Sequence, residues 1–256
     1  MSDDVEFDRI APFYDETRQP PSREELDTLV ALLADCRTVL DAGVGTGRFA
    51  VPLRAHGFEI VGVDLSLGMM RRARAKGVPA LLRANVLRLP LADRAVDAAF
   101  MSHVLQLLPD SHPALRELGR VARRTVVVQL PEWFEGPPSE AWRERRARYR
   151  ELAAELGYPL PERGKRYWHS LDELSAIASP RAVHVVTRPP PTEGLSEERF
   201  SRWRAELIGG GQLPVEVHEQ IVRRIREEFP ADSSWRTRPR TTRFVAWDSN
   251  RLAGTN

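Results

Sequence analysis

The chain has very little cysteine, very little lysine and no long run of apolar residues. It contains one cysteine, Cys36, among 256 residues, which excludes an internal disulfide and a zinc site built from several thiolates. No apolar stretch approaches the roughly 20 residues that a membrane-spanning helix needs. The opening residues 1–4 are acidic and lack the basic and apolar blocks of a signal peptide. We therefore expect a cytoplasmic protein with no membrane span.

The positive charge of the chain is almost entirely arginine, because Lys76 and Lys165 are the only lysines. Basic residues number 38 and acidic residues 36, so the formal net charge is only +2. An arginine-rich composition reflects a genome or a habitat as readily as a phosphate-binding surface. Net charge alone therefore does not indicate a nucleic-acid partner. Hydrophobic residues make up 42% of the chain, which is enough for a sizeable globular core.

Short β-branched runs alternate with helical patterns between residues 38 and 130, as is typical of βαβ units around a parallel sheet. The predicted strands cover residues 38–42, 59–63, 80–84, 96–101, 125–130, 182–187 and 241–247. The predicted helices cover residues 47–56, 67–76, 112–123, 139–156, 171 to before Pro180, 196–207 and 214–229. We expect an α/β fold with a mostly parallel seven-stranded sheet.

The strongest motif is the loop after the first predicted strand, Asp41-Ala42-Gly43-Val44-Gly45-Thr46-Gly47. Its alternate glycines make a tight turn where a ligand can approach the backbone and meet exposed amides. Thr46 can cap the following helix. Asp64 ends the second predicted strand 21 residues after Gly43, close to the ~20-residue interval at which an acid accepts hydrogen bonds from ribose hydroxyls.

Two residues of this loop argue against a dinucleotide. Arg48 stands where the third glycine of the dinucleotide fingerprint would fall, and Asp41 places a negative charge beside the loop. A carboxylate is unfavourable next to a pyrophosphate but suits the ammonium of an amino-acid moiety. The pattern therefore favours a zwitterionic nucleoside over a nicotinamide cofactor.

With these features the chain resembles the class I S-adenosylmethionine-dependent methyltransferases, in particular the small-molecule type of ubiquinone and menaquinone biosynthesis. The resemblance covers roughly residues 7 to 130. It rests on four motifs in order: residues 39–48, residues 62–66 with Met69, residues 84–86 with 89–91, and residues 96–100 through to 108–110. It implies a Rossmann-like, doubly wound sheet with helices on both faces and helical insertions in the C-terminal half.

The resemblance also implies a cofactor, S-adenosylmethionine, with S-adenosylhomocysteine as its product. The loop Asp41–Gly47 would hold the methionine part, and Asp64 the ribose. The adenine would contact Leu65 and Met69 on its face and Asn85 and Val86 on its edge, with Ser102 and His103 near the sulfonium and Tyr14 and Arg18 in an N-terminal cover. The full implied set is Tyr14, Arg18, Asp41, Ala42, Gly43, Gly45, Thr46, Gly47, Asp64, Leu65, Met69, Asn85, Val86, Ser102 and His103. No metal ligand is implied.

Four of these residues carry a reservation or a second interpretation. The family more often has Asp where this chain has Asn85, which can still form one hydrogen bond to the adenine amine but lacks the charge. His103 is a weak candidate for a general base, since histidine ordinarily titrates near working pH, and a structural hydrogen-bonding role is the alternative. Met69 can equally be a core residue. Tyr14 can simply hold the N-terminus against the body of the protein.

On this basis we expect one methyltransferase domain over residues 1–256. Residues 1–36 would form an N-terminal cap, residues 37–130 the cofactor-binding core, and residues 131–180 and 190–240 helical segments that shape a substrate pocket or lid. Four aromatic residues in these segments suit a flat or apolar acceptor, although core packing would explain them equally well: Trp133, Phe134, Tyr167 and Trp168. His169 is a further candidate base from the lid.

The expected reaction is methyl transfer to a small molecule by in-line displacement, for which alignment and desolvation can suffice without a dedicated catalytic residue. A different hypothesis is an RNA or tRNA methyltransferase that uses the arginines of residues 143–150 and 236–243. It is not favoured, because the fourth strand is not followed by an Asn-Pro-Pro-Tyr type of sequence and no RNA-binding domain is recognised. A non-catalytic S-adenosylmethionine-binding protein and a nicotinamide oxidoreductase are two more hypotheses. These motifs name the methyl donor and not the acceptor.

Overall fold

The structure is a computed structural model. It describes residues 7–8, 10–12, 14–15, 20–131, 140–160, 167, 169–188, 213–229 and 240–254. The chain divides into two compact units. The first, called the sheet unit, comprises Pro20–Gly136, Lys165–Arg188 and Thr241–Asn256, and the second unit comprises Met1–Gln19, Pro137–Gly164 and Pro189–Arg240. The division into cap, core and lid segments stays a prediction.

Seven strands form one sheet. They are β1 (Thr38–Ala42), β2 (Glu59–Asp64), β3 (Ala80–Arg83), β4 (Val96–Ser102), β5 (Ala122–Pro131), β6 (Ala182–Arg188) and β7 (Arg240–Asp248). Their order in the sheet is β3-β2-β1-β4-β5-β7-β6. The five strands from β3 to β5 in this order are parallel to one another, and β7 is antiparallel to β5. The predicted α/β fold with a mostly parallel seven-stranded sheet is confirmed, and each predicted strand is present.

Helices connect and follow these strands. In chain order they are α1 (Arg23–Leu32), α2 (Ala50–Ala55), α3 (Leu67–Ala75), α4 (His112–Val121), α5 (Glu140–Glu155), α6 (Leu171–Ile177), α7 (Val215–Glu228) and α8 (Ser249–Ala253), with a short 3-10 turn over Leu105–Leu107. Helices α1 and α8 were not expected from the sequence. The predicted helix over residues 196–207 lies outside the described residues.

Helices cover both faces of the sheet, because alternate residues of β1 enter two different hydrophobic clusters. Val39 packs in a cluster with Leu29 of α1 and with residues of α2 and α3. The next residue, Leu40, packs in a cluster with Leu115 of α4 and with residues of α8. Successive side chains of a strand point to opposite faces, so β1 is buried on both sides, as expected for a parallel sheet. This arrangement confirms the doubly wound architecture.

The helix after the glycine loop begins later than the sequence predicts. Residues 45–49 form turns, and α2 starts at Ala50. The backbone of Gly47 has a φ of +83°, which lies outside the right-handed helical region. The prediction that Thr46 caps this helix is wrong, because Phe49 is the N-cap residue and forms no side-chain cap bond. Thr46 is instead buried.

In the second unit, α5 and α7 pack together through a small apolar cluster that includes Leu152, Ala153 and Ile221. Arg148 of α5 forms ion pairs with Glu151 and Glu155 of its own helix and with Glu228 of α7; Arg148 thus links the two helices.

Among the residues that the structure describes, no helix combines the length and the apolar character needed to cross a membrane.

Candidate functional site

The predicted site residues of four strands meet at one edge of the sheet. Strands β3, β2, β1 and β4 are adjacent and parallel, so their carboxyl ends lie side by side. Ala42 pairs with Val63 on one side and with Met101 on the other. From β1 the chain continues to β2 and β3 on one side, and it then returns to β4 on the other side of β1. This reversal of strand order is the switch point where open α/β sheets bind ligands.

The glycine loop lies directly on this edge. Gly43, Gly45 and Gly47 have φ values of +86°, +54° and +83°, a region that L-residues with a side chain rarely adopt. The amides of Gly43 and Val44 donate to the carbonyl of Val63 at 2.7 and 2.9 Å. Gly43 and Val44 therefore attach the glycine loop to the end of β2.

The three glycines differ in the space beside them. A Cβ on Gly43 would lie 2.2 Å from Cγ2 of Val104, and a Cβ on Gly47 would lie 3.2 Å from Cγ2 of Val51. Both of these positions are filled by protein rather than left for a ligand, contrary to the simplest interpretation of the motif. At Gly45 the nearest heavy atom is the carbonyl oxygen of Gly43 at 4.0 Å. Gly45 is thus the glycine that leaves the backbone approachable.

Asp64 connects the glycine loop to the turn after β2. Its Oδ2 accepts a hydrogen bond from the amide of Gly45 at 2.8 Å, and its Oδ1 accepts one from the amide of Ser66 at 2.9 Å. Each carboxylate oxygen can accept two hydrogen bonds, and the Asp64 side chain is only half-buried. That the same carboxylate also accepts from the hydroxyls of a ribose stays a prediction.

Asp41 is the buried charge of this edge, with 3% of its surface exposed. Burial raises the pKa of its carboxyl to about 7, the nearby negative charge of Asp64 adds to the rise, and a hydrogen bond from the amide of Ala50 opposes it. A carboxyl held in this state is stabilised in its ionised form by any cation that arrives beside it. Binding of a positively charged group beside Asp41 would therefore be favourable.

The residues predicted to surround an adenine lie beyond Asp64, at the ends of β2 and β3. Leu65 is 37% exposed and Val86 is 8% exposed. Asn85 is exposed, and its side-chain oxygen accepts a hydrogen bond from the amide of Leu87 at 2.9 Å; its side-chain NH₂ group is a donor. Met69 is 2% exposed, as a core residue would be.

Arg120 of α4 holds the segment that follows Asn85, and sequence analysis did not identify it. Its guanidinium donates to the carbonyl oxygens of Leu89 and Leu91 and to the carboxylates of Asp93 and Glu117. Glu117 in turn accepts from the amide of Leu89 at 2.8 Å, and the hydrogen bonds from Arg120 lower the pKa of Glu117. Two side chains of α4 thus hold the segment that follows the residues predicted to contact an adenine.

Ser102 ends β4 and His103 follows it. Both lie close to the glycine loop, since the side chain of Val104 fills the space beside Gly43. His103 is half-buried and has a φ of +58°, which is uncommon for a residue other than glycine and is often found at functional sites. The hydroxyl of Ser102 donates to Oε1 of Gln129 at 2.5 Å. Whether His103 acts as a base or as a structural residue stays a prediction.

Residues 167 and 169 lie against the segment that follows β4. The amide of Tyr167 donates to the carbonyl oxygen of Gln106 at 2.9 Å, and Nε2 of His169 lies 3.0 Å from the carbonyl oxygen of Leu108. His169 is buried, and its Nε2 is in contact with a backbone carbonyl. This position disfavours the prediction that His169 is a base. Tyr14 is a half-buried residue of the second unit. Four other predicted residues lie outside the described residues: Arg18, Trp133, Phe134 and Trp168.

Two cavities of about 360 and 400 Å³ lie at the opposite edge of the sheet, where the parallel strands begin. They are lined by residues such as Cys36, Thr38 and Arg181, and neither includes a predicted site residue. Within the described part of the chain, no group of three or more His, Cys, Asp or Glu side chains could hold a metal ion.

The sequence is similar to those of known methyltransferases. A family model described as a methyltransferase domain matches residues 40–128. A malonyl-[acyl-carrier protein] O-methyltransferase of Yersinia pestis is 34% identical over 189 residues, which cover 72% of this chain and 70% of that protein. The ubiquinone/menaquinone biosynthesis C-methyltransferase UbiE of Syntrophotalea carbinolica is 38% identical over 142 residues, which cover 49% of this chain and 60% of that protein.

For two further curated methyltransferases the coverage is smaller, since the chain spans 47% and 37% of their length. Among solved structures, phosphoethanolamine N-methyltransferase 2 of Haemonchus contortus, in complex with phosphomonomethylethanolamine and S-adenosylhomocysteine, superposes with a TM-score of 0.54 at 16% identity. That match covers 95% of this chain and 56% of the other, and it shows a shared fold. By its sequence relatives and its sheet, this chain belongs to the class I S-adenosylmethionine-dependent methyltransferases of the small-molecule type.

Proposed function

We propose that this protein binds S-adenosylmethionine at the carboxyl edge of its sheet and transfers the methyl group to a small-molecule acceptor. The observation that carries the proposal is the connection between two motifs: Asp64 accepts a hydrogen bond from the amide of Gly45, the one glycine of the loop with open space beside it. A carboxylate that would accept from a diol therefore lies beside an approachable stretch of backbone. The neighbouring charge of Asp41 suits the ammonium of the same ligand.

The residues of the edge divide the ligand between them. Asp64 would accept from the ribose hydroxyls, while Asp41 and the loop through Gly47 would hold the methionine part. The adenine would lie against Leu65 and Val86, with the side-chain NH₂ group of Asn85 at its edge. Ser102 and His103 would stand near the sulfur.

When bound, S-adenosylmethionine supplies a methyl group that is already activated by a positively charged sulfur. The protein then has to align the acceptor behind that methyl group and exclude water, which can supply much of the rate enhancement. A protonated acceptor needs a base for its proton, and His103 is the described residue that fits this role best. An acceptor that is already an anion, such as a carboxylate, needs none.

For the acceptor we propose a small molecule with an oxygen or carbon nucleophile. The names of the relatives support this class, since one is an O-methyltransferase and the other a C-methyltransferase. The hypothesis of an RNA acceptor gains no support from α5, where Arg148 is paired with three glutamates and Arg150 donates to the carbonyl oxygen of Leu160. We also retain the cytoplasm as the proposed location.

The proposal is tested by incubating the protein with methyl-labelled S-adenosylmethionine and three acceptors: a malonyl thioester, a demethylated quinol and bulk tRNA. We expect one of the first two to acquire label with equimolar formation of S-adenosylhomocysteine, and tRNA to acquire none. The Asp97→Asn variant, altered at the opposite edge of the sheet, serves as a matched control and should keep full activity. Label in tRNA alone would overturn the acceptor class, and cofactor binding without turnover on any acceptor would indicate a binding protein.

A further inference from the structure

A hydrogen-bonded series of three polar side chains, two of them buried, runs from α1 to the end of β4. The Ser102 hydroxyl donates to Oε1 of Gln129 at 2.5 Å, and Nε2 of Gln129 donates to Oε1 of Glu25 at 2.9 Å. Gln129 is 2% exposed and Glu25 is fully buried. Because no bulk water reaches these two groups, each of them depends on its protein partners.

Glu25 lies at the end of this hydrogen-bonded series where donor and acceptor cannot be exchanged. Its Oε2 accepts from the backbone amide of Ser22 at 2.7 Å, and its Oε1 also accepts from the hydroxyl of Thr242 at 3.4 Å. A carboxylate only accepts hydrogen bonds, and a backbone amide only donates. Every group that faces Glu25 must therefore be a donor.

This requirement sets the direction of the two bonds that follow. Gln129 must turn its NH₂ group toward Glu25, which leaves its carbonyl oxygen facing Ser102. Ser102 must then use its only proton to reach that oxygen. The lone pairs of the Ser102 hydroxyl remain, and they point away from Gln129.

The ordinary role of Glu25 is the capping box of α1, in which Ser22 and Glu25 bond each other's backbone amides. That role needs only one carboxylate oxygen and is compatible with full exposure. It does not account for the burial of Glu25 or for the two further donors on its other oxygen. These features connect the cap to the candidate site.

We propose that Glu25 is a positioning residue that fixes the polarity of Ser102, so that the Ser102 hydroxyl presents an oxygen lone pair and not a proton to the cofactor. The inference rests on the proposed function, which places Ser102 near the sulfur. An oriented lone pair stabilises a sulfonium and the methyl group it polarises, and it gives little to the neutral thioether of S-adenosylhomocysteine. Glu25 would thus help the enzyme to bind its donor more tightly than its product.

The test is titration calorimetry of S-adenosylmethionine and S-adenosylhomocysteine with the full-length protein and its variants. Ser102→Ala should weaken S-adenosylmethionine about fivefold to tenfold, as expected for the loss of one hydrogen-bond acceptor near a charge. S-adenosylhomocysteine should change less than about twofold, since it carries no such charge. The ratio of the two dissociation constants is the diagnostic readout, because a purely structural defect would weaken both ligands alike.

Glu25→Gln should lower the same ratio by a similar factor. A glutamine at this position can satisfy the Ser22 amide only by turning its own NH₂ group toward Gln129, which would reverse Gln129 and turn the Ser102 proton outward. The matched control is Glu24→Gln, which removes the same charge from an exposed neighbour on the same helical turn and should leave the ratio unchanged. In the double variant of Glu25→Gln and Ser102→Ala, the ratio should equal that of Ser102→Ala alone.

Two results would overturn the inference while leaving the proposed function intact: an equal loss for both ligands in Glu25→Gln, or additive effects in the double variant. Wild-type protein that bound neither ligand would overturn the proposed function and this inference together. Thermal melts of each variant show whether it is folded. Should Glu25→Gln not fold, Gln129→Met removes the same connection and must lower the ratio in its place.

Discussion

Two aspartates at opposite edges of the same sheet have opposite electrostatic surroundings. Asp97, near the start of β4, accepts hydrogen bonds from the amides of Thr38 and Arg37, from the Thr38 hydroxyl and from the Arg123 guanidinium. These bonds, the Thr38 amide first, hold the pKa of Asp97 well below its ordinary value. Asp41, at the end of β1, is buried beside Asp64, and its pKa is raised to about 7.

We interpret the difference as one between a structural edge, which contains Asp97, and the proposed functional edge, which contains Asp41. The negative charge of Asp97 is satisfied by the fold, so it contributes to stability. The negative charge of Asp41 is disfavoured by burial and by Asp64, and the one opposing hydrogen bond, from the Ala50 amide, does not offset them. A position where the fold tolerates such a cost, beside a loop of three glycines with positive φ, is where we expect the ligand.

The largest effect should come from closing the functional edge with Gly43→Ala. The new Cβ would lie 2.2 Å from Cγ2 of Val104, at a backbone φ of +86°, and valine cannot easily rotate away. We expect a loss of about 2–4 kcal/mol in the free energy of unfolding, measured in urea, together with loss of cofactor binding. The control is Gly57→Ala, with a φ of +91° and nothing within 4 Å, which should lose only about 1–2 kcal/mol from backbone strain. Equal losses would show that the contact with Val104 is unimportant.

Removing the charge of Asp64 should give the next largest effect on binding. In Asp64→Asn, an NH₂ group replaces one of the two carboxylate oxygens. That group cannot accept the hydrogen bond from the amide of Gly45 or Ser66, and it cannot accept one from a ribose hydroxyl. The affinity for S-adenosylhomocysteine, measured by calorimetry, should fall about 10–100-fold. An unchanged affinity would remove Asp64 from the site.

The raised pKa of Asp41 predicts a pH dependence with a definite sign. Between its ordinary value of 3.8 and about 7, the folded state keeps a proton that the unfolded state releases. The free energy of unfolding of the free protein should therefore fall as pH rises through this window, by at most about 1.4 kcal/mol per pH unit. Urea titrations across the window measure this slope.

The same ionisation should favour the ligand, because an ammonium stabilises the charged form of Asp41. The affinity for S-adenosylmethionine should rise with pH up to about 7 and then level off. Near pH 6, calorimetry in buffers of different ionisation enthalpy should detect proton release on binding, and Asp41→Asn should abolish it. Proton release that persists in Asp41→Asn would assign the titration to another group.

The smallest effect on binding should come from the structural edge. Asp97→Asn should cost about 1–2 kcal/mol of stability at neutral pH, from weakened hydrogen bonds to a charged group, and should leave cofactor affinity unchanged. Because the pKa of Asp97 is lowered in the folded state, its contribution is present above about pH 4 and lost as pH falls further. Glu59→Gln, which alters an exposed ion pair with Arg37 at the same edge, should cost less than about 0.5 kcal/mol.

The sheet could be predicted from the sequence because its strands are buried on both faces. Such strands are short runs of apolar and β-branched residues, and β1 occupies residues 38–42 as predicted. Helix α1 could also have been predicted, since Ser22 and Glu25 have the spacing of a capping box. Helix α8 could not, because five residues are too few to show a helical pattern.

The candidate site was predictable only in part, because some of its contacts join distant parts of the chain. The spacing of the glycines and Asp64 is a local pattern, and it placed the loop correctly. The contact of Val104 with Gly43 and the bond from Gln129 to Glu25, 104 residues away, depend on tertiary packing. The raised pKa of Asp41 likewise follows from burial, which a motif does not record.

Hydrogen exchange of the protein with and without S-adenosylhomocysteine tests the assignment of the two edges most directly. Amides made slower to exchange by the ligand should lie at the carboxyl edge, in residues 43–49, 64–69, 85–89 and 102–105. Amides at the opposite edge, in residues 35–38, 94–98 and 122–125, should exchange at the same rate in both samples. Protection at the amino edge, or none at the carboxyl edge under saturating ligand, would contradict the account.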